Sequence, residues 1–259
     1  MAKPYVIHNW DLPFLPWPSG GARAIKELRR ELEARGHEVK YQWENPSDDD
    51  IWVWSESRAK EAFKHPSVNK CFFFGNKEAK PLISYEAMRF VWNKQISDDP
   101  ILNVNIFELD LWTPRNNKSG NVAFWVGKGG YDPSIIPPGA IEITRNNFKT
   151  RPELAEFISS CDYLISFDPM TAVVTEATFV NTPVLIWNVG HQPDQPPWTK
   201  EEVMATGWVK NGVAWSLEEM EFARDTVHLA KDDYLELMKT FPATIDNFIK
   251  LTQDKFANT

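Results

Sequence analysis

The stretch YLISFDPMTAVVTEATFVNTPVLIW, residues 163–187, contains two short apolar runs separated by a helical segment. The runs at 163–167 and 184–187 have the length and composition of buried strands, and 171–179 predicts a helix between them. A strand, a helix and a second strand in this order form one repeat of a parallel sheet. This stretch therefore predicts an α/β fold.

The same alternation of apolar runs and helical patterns extends along the chain and is interrupted at WTPRNNKSG, residues 112–120. A polar segment with Pro and Gly between two strand patterns is typical of a linker. We therefore predict two Rossmann-like domains, 1–111 and 121–230, each of a size usual for a domain. A third segment, 231–259, carries a helical pattern of its own.

The first domain is predicted to begin with a strand, a proline-rich loop and an amphipathic helix. We expect a helix at 81–93 and a strand at 104–109 to complete it, and one continuous helix at 232–251 near the end of the chain. The other elements predicted for the first domain are strands at 4–9, 39–43, 51–54 and 70–74, and helices at 22–35 and 57–64.

The composition is that of a globular protein, with 42% hydrophobic and 25% charged residues among 259. A formal charge of -8 argues against extended binding to duplex nucleic acid, which needs a basic surface. The two cysteines, Cys71 and Cys161, lack metal-ligand spacing and favour a reducing compartment. The sequence shows no signal peptide and no apolar run of about 20 residues, so we expect a cytoplasmic protein.

The turn at Asp168 is the strongest candidate for chemistry. A helix that starts near Thr171 presents unpaired N–H groups at Met170, Thr171 and Ala172, and these suit a diphosphate. Glu176 follows Asp168 by roughly two helical turns, so both acids could face one cleft. The alternative is that Asp168 is only a turn residue and Glu176 an exposed helix residue.

This arrangement resembles the retaining GT-B glycosyltransferases, whose second domain carries an acid, seven further residues, Glu-Ala and then a Pro-Val turn. The match is Asp168, Glu176-Ala177 and Asn181-Thr182-Pro183-Val184, with Asp in place of the usual first Glu and Asn181 where Gly is common. The resemblance implies that the two domains face a cleft and that the last helix crosses back to the first domain. It also implies that Glu176 binds the donor ribose and that Asp168 lies beside the donor sugar, among the catalytic residues.

Two further segments resemble parts of the same donor site. The turn Gly127-Lys128-Gly129-Gly130 follows a predicted strand; its glycines allow close approach of a phosphate, and Lys128 supplies positive charge. By resemblance, Lys128 and Gly129 contact the leaving diphosphate. Thr144 and Arg145 end the next strand, where these enzymes bind the base, although Arg145 could equally pair with a surface acid.

The first half of the chain supplies candidates for a catalytic base. His8 ends the first predicted strand, and Asp11 follows it. A neutral His or an Asp there could accept the proton of an acceptor hydroxyl, and each is otherwise a simple loop or core residue. Gly20 and Gly21 precede the first helix, as do the glycines that contact donor phosphates or acceptor in GT-B enzymes.

These residues predict a glycosyltransferase that moves a sugar from a nucleoside diphosphate, with a UDP-sugar expected, to a hydroxyl of a saccharide or another acceptor. No metal and no other cofactor is expected, because the histidines lack metal-ligand spacing. A modified DNA base as acceptor is disfavoured by the negative charge. Two rival functions fit the same fold: a sugar-nucleotide epimerase and a non-catalytic nucleotide-sugar binding protein.

Overall fold

A computed structural model divides the chain into two compact units. The first unit comprises Met1–Ile106 together with Met238–Thr259, and the second comprises Phe107–Leu237. The second unit is therefore one continuous stretch of chain. In sequence it follows the first part of the first unit and precedes the second part. The residues that the structure describes are 2–8, 20–55, 59–74, 87–115, 117–187 and 198–257.

Both units alternate strands with helices. In chain order the elements are β1 (Tyr5–His8), α1 (Gly20–Ala34), β2 (Val39–Tyr41), β3 (Ile51–Ser55), α2 (Ala59–Lys64), β4 (Lys70–Phe74), β5 (Met88–Val91), β6 (Asn121–Trp125), β7 (Ile141–Glu142), α3 (Arg151–Ser160), β8 (Cys161–Ser166), α4 (Ala172–Phe179), β9 (Val184–Ile186), α5 (Lys200–Ala205), β10 (Val213–Ala214), α6 (Met220–Thr226), α7 (Ala230–Met238) and α8 (Phe241–Phe256).

The first unit is built on a parallel sheet with the strand order β2-β1-β3-β4-β5. Its strand Ile51–Ser55 is buried along its first four residues, as expected for a parallel sheet that is covered on both faces. The α8 helix contributes to this core through Phe248, whose ring centroid lies 5.7 Å from that of Tyr5 and 4.7 Å from that of Phe90. The last helix is thus part of the first unit.

The second unit contains another parallel sheet, with the order β10-β9-β8-β6-β7. α3 and α4 pack against β8, and α6 packs against β9 and β10. Phe124, Ile165 and Leu185 belong to a buried cluster that α6 completes with Met220 and Ala223. The prediction of an α/β protein with two Rossmann-like parallel sheets is confirmed, whereas their arrangement around a cleft stays a prediction.

The segment 112–120, expected to link two domains, lies within the second unit. Trp112 is fully buried there. The N–H of Ser119 donates to the carbonyl of Ser160 at 2.8 Å, and the Lys118 amine donates to the carbonyl of Cys161 at 2.6 Å. Polar composition predicted a linker, but these contacts attach the segment to the amino end of β8.

The order of the strands places a switch point in each sheet. In each sheet the strand that begins the unit lies between its second and third strands, so the chain changes direction across the sheet at that point. β1 occupies this position beside β3, and β6 occupies it beside β8. Open α/β sheets bind ligands outside the carboxyl ends of the strands at such a switch point.

The helix predicted at 81–93 is wrong over its second part. Residues 88–91 form β5, which pairs in parallel with β4, and Phe90 and Val91 are buried. Pairing with an available neighbour outweighed the helical spacing of the local sequence. Residues 81–86 lie outside the described part of the chain.

The strand predicted at 104–109 is also absent. Leu102 and Val104 enter the core, but the N–H of Asn103 donates to the side chain of Thr244 on α8, at 2.9 Å, instead of joining a ladder. The apolar pattern of this segment therefore indicates burial beside α8 and not a strand.

The helix predicted at 232–251 is two helices, α7 and α8. α7 ends at Met238, and α8 starts at Phe241 with Pro242 in its first turn. Proline lacks the N–H that an interior helical position needs, but it is tolerated at the start of a helix. Pro242 is thus the reason for the break.

We expect the first unit to become less stable as the pH falls below about 6.5, the ordinary pKa of histidine. The ring of His65 packs on Trp52 at 3.8 Å, and its Nδ1 accepts the N–H of Ser67 at 3.2 Å. Burial lowers the pKa of His65, so the unfolded chain binds its proton more readily than the folded chain does. Stability is therefore present above pH 6.5 and lost as the pH falls.

Urea unfolding at pH 7.5 and pH 5.5 measures this loss. His65→Gln should show a smaller difference between the two pH values than the wild type. His228→Gln, a change at an exposed histidine, should behave like the wild type. An unchanged pH dependence in His65→Gln would contradict the assignment of this loss of stability to His65.

Candidate functional site

The candidate site lies at the carboxyl edge of the second sheet, where β6 and β8 are neighbours. Trp125 at the end of β6 is in register with Ser166 at the end of β8. Beyond these residues the N–H of Phe167 donates to the carbonyl of Trp125 at 2.9 Å. The turn after β6 and the turn after β8 therefore leave the sheet side by side.

Asp168 joins these two turns. Its carboxylate accepts the N–H of Lys128 at 3.2 Å and the N–H of Met170 at 3.1 Å. The Ser166 hydroxyl donates to the carbonyl of Asp168 at 2.8 Å, and Asp168 is only 6% exposed. The carboxylate thus has a structural function in the two turns; its place beside a donor sugar stays a prediction.

Two glycines make the close approach of the turns possible. Gly127 has a φ of +58°, and a Cβ there would lie 2.7 Å from the Asp168 side chain. A Cβ on Gly129 would overlap the carbonyl oxygen of Phe167. Lys128 stands between them with an exposed side chain. The glycine-rich turn is therefore required by packing, whether or not a phosphate binds.

The start of α4 presents N–H groups next to this turn. Thr171 caps the helix, and its hydroxyl accepts the N–H of Val173 at 3.5 Å. The N–H of Met170 is bound by Asp168. Within the described ranges no acceptor binds the N–H groups of Thr171 and Ala172, and both residues are partly exposed. These two groups, at the positive end of the helix dipole, can bind an anion.

Glu176 is a buried residue, so the alternative of an exposed helix residue is wrong. Its side chain is 1% exposed, and its Oε1 accepts Nη2 of Arg151 at 2.9 Å. The Arg151 side chain is 4% exposed, donates through Nε to Glu108 at 3.2 Å, and lies 5.2 Å above the Trp112 ring. The structure thus places Glu176 in an ion pair between α4 and α3; its contact with a ribose stays a prediction.

Arg151 is the site residue that sequence reasoning missed. It is the first residue of α3, preceded by the N-cap Thr150 and followed by Pro152. This start signal fixes Arg151 at the carboxyl edge of the sheet, because α3 follows β7. The helix start at Arg151 was readable from the sequence, but its pairing with Glu176, 25 residues away, was visible only in the structure.

Thr144 and Arg145 lie in the turn after β7, at the same edge of the sheet. The Thr144 hydroxyl accepts the N–H of Asn147 at 3.1 Å, and its carbonyl accepts the N–H of Phe148 at 3.0 Å. Arg145 is exposed and forms no ion pair in the part of the chain that is described. The alternative of a pairing with a surface acid therefore has no support.

The remaining candidates belong to the first unit. His8 ends β1, and its ring stacks on Trp54 at 3.8 Å. Gly20 and Gly21 are the first two residues of α1. A Cβ on Gly20 would meet only Ile106, at 3.8 Å, so space does not demand glycine there. Asp11 lies outside the described residues.

The described residues show no metal site and no membrane-spanning helix. The described residues contain no cluster of three His, Cys, Asp or Glu side chains that could hold a metal ion. None of the helices seen in those residues has the length and apolar character needed to cross a membrane. Comparison with protein-family models finds no match, and comparison with curated proteins finds no similar sequence.

Gly129→Ala should destabilise the second unit by about 1–3 kcal/mol, the usual cost of overpacking. The new methyl group would force the turn after β6 away from Phe167. Urea unfolding followed by tryptophan fluorescence measures the change. Gly20→Ala is the matched control and should cost little, since its methyl group has room; equal stability of both variants would contradict the packing argument.

Glu176→Ala should lower the free energy of unfolding by about 3–5 kcal/mol, because it leaves the buried Arg151 without its main partner. Arg151→Ala should cost a similar amount. The double variant Arg151→Ala/Glu176→Ala removes both charges, so its loss should be smaller than the sum of the two single losses. Urea unfolding of all four proteins gives the coupling energy, and additive single effects would show that the pair is not coupled.

Proposed function

We propose that this protein is a glycosyltransferase that uses a nucleoside diphosphate sugar, and that its second unit binds the donor. One observation supports this most directly. The exposed Lys128 and the N–H groups of Thr171 and Ala172 lie on adjoining turns at the switch point between β6 and β8. A lysine beside a helix start provides two kinds of group that bind phosphate.

The donor diphosphate would bind at the start of α4, with Lys128 on the side of the β6 turn. In transfer, the bond between the sugar C1 and the phosphate oxygen breaks, and negative charge develops on the leaving diphosphate. Fixed N–H groups and a lysine stabilise that charge without reorganising. The turn containing Thr144 and Arg145 follows β7, the strand next to β6. This turn would contact the base of the donor, which we expect to be uracil.

The acceptor oxygen forms the new bond to the sugar C1, and its proton must leave. In a retaining reaction the departing phosphate oxygen can take that proton, so no protein base is required. In an inverting reaction His8 or Asp11 would serve as the base. The stereochemistry of the product therefore decides whether the first unit supplies a catalytic group.

Glu176 would act with Arg151 in this proposal. The ion pair holds the second turn of α4 against the first turn of α3, which fixes the N–H groups at the start of α4. Glu176→Gln is the better probe of a ribose contact than Glu176→Ala, because Gln keeps an oxygen that can accept the Arg151 hydrogen bond. A donor affinity reduced in Glu176→Gln would support the ribose role.

Lys128→Ala should weaken nucleotide binding by about tenfold or more, the effect of losing one charged phosphate contact. Calorimetric titration with UDP, GDP, ADP and their hexose conjugates measures it. Folding should be unaffected, because the side chain is exposed and has no ion pair within the described residues.

Lys210→Ala is the matched control. It removes the same charge from an exposed position just before β10, at the amino edge of the same sheet. Equal nucleotide binding by the two variants would contradict the location of the site. Failure of the wild type to bind any nucleotide of the panel would contradict the proposed function, and donor conversion without an acceptor would favour an epimerase.

A further inference from the structure

The first unit carries an exposed aromatic stack at the carboxyl end of β2. The rings of Tyr41 and Trp43 stack at 4.7 Å with an interplanar angle of 21°, and the Arg29 guanidinium lies 4.0 Å from the centre of the Tyr41 ring. Trp43 is 51% exposed. We call this group, Arg29, Tyr41 and Trp43, the Trp43 platform.

Hydrogen bonds and ion pairs hold the Trp43 platform in place. The N–H of Tyr41 donates to the Glu44 carboxylate at 2.6 Å, and the N–H of Glu44 donates to the Tyr41 carbonyl at 2.9 Å. Arg29 pairs with Glu33 at 2.7 Å and with Glu44 at 3.5 Å. A single exposed apolar residue is ordinary, but this indole stacks on Tyr41, which these bonds hold in place.

The position of the Trp43 platform is one where ligands bind in such sheets. β2 is the edge strand beside β1, and Trp43 follows it at the carboxyl edge. Neighbouring strands are about 4.8 Å apart, so β2 ends close to the switch point of this sheet. Trp43 therefore lies at the carboxyl edge of this sheet, one strand from the switch point.

The charges of the Trp43 platform select against a phosphate. The single cation, Arg29, is already matched by the carboxylates of Glu33 and Glu44. A neutral ring with one apolar face and outward hydroxyl groups fits better. Its C–H face can stack on the indole of Trp43, and a hydroxyl can donate to the partly exposed carboxylate of Glu44.

We infer that the Trp43 platform binds a pyranose ring of a neutral saccharide. Resting on the proposed function, this saccharide is the acceptor of the transferred sugar. Stacking fixes the plane of the ring, and the hydrogen bond to Glu44 distinguishes one edge of the ring from the other. The inference thus narrows the acceptor to a neutral saccharide, as distinct from a nucleic acid base.

Saccharide binding in the absence of any donor tests this inference separately from transfer. The full chain is titrated with glucose, galactose, mannose and N-acetylglucosamine and with their α- and β-linked trisaccharides, followed by calorimetry and tryptophan fluorescence. At least one should bind saturably, with a change in fluorescence. Trp43→Ala should weaken that binding by about tenfold or more, whereas Trp43→Tyr should retain most of it.

Val68→Ala is the control, since Val68 is another exposed apolar residue of the first unit. Unfolding curves show whether each variant is folded. Wild-type affinity in folded Trp43→Ala, or no binding of any saccharide of the panel, overturns the inference. Loss in Trp43→Ala of binding to uridine monophosphate or a short single-stranded DNA, with no saccharide bound, overturns it in favour of a base. Saccharide binding by the wild type that is lost in folded Trp43→Ala supports the inference even where no nucleotide of the panel binds.

Discussion

The buried carboxylate of Asp168 is the contact on which the candidate site depends. The strand pairing of β6 with β8 ends at Trp125 and Ser166, so the sheet itself does not align the turns that follow. Asp168 binds an N–H from each turn, and the absence of a side chain at Gly129 lets the turns touch. The lysine of one turn and the helix start of the other are neighbours for this reason.

The ion pair of Arg151 with Glu176 adds a second constraint behind the turns. A cation at the first residue of a helix opposes the helix dipole, and both side chains lose their hydration on burial. The carboxylates of Glu176 and Glu108 offset this cost. Because the pair connects α3 with α4, it holds in place the helix whose first N–H groups face the turns.

The sequence was sufficient for the fold class and for most elements with strong local signals. Residues 70–74 form the strand that their pattern predicts, and 172–179 form nearly all of the helix predicted at 171–179. Errors occurred where distant residues decide the outcome. β5 exists because β4 offers a partner, and Asn103 is satisfied by Thr244. Pro242 is different, because that break was readable from the sequence alone.

The same distinction applies to the site. Parallel strands follow from strand–helix alternation, so the placement of Lys128, Asp168 and Thr171 at one edge of a sheet was predictable. That β6 and β8 are neighbours was not. The burial of Glu176 was not, because it depends on Arg151, which lies in an earlier helix. Nor could local sequence show that Tyr41 and Trp43 stack beneath an arginine from α1.

The division of the first unit into two distant chain segments has a consequence during synthesis. The second unit is continuous, so all of its strands and helices leave the ribosome before α8 does. The core of the first unit lacks Phe248 until then, and the surface around Tyr5 and Phe90 that this ring covers stays open. The nascent chain can therefore complete the second unit while the first still exposes apolar surface, and exposed surface of this kind favours aggregation.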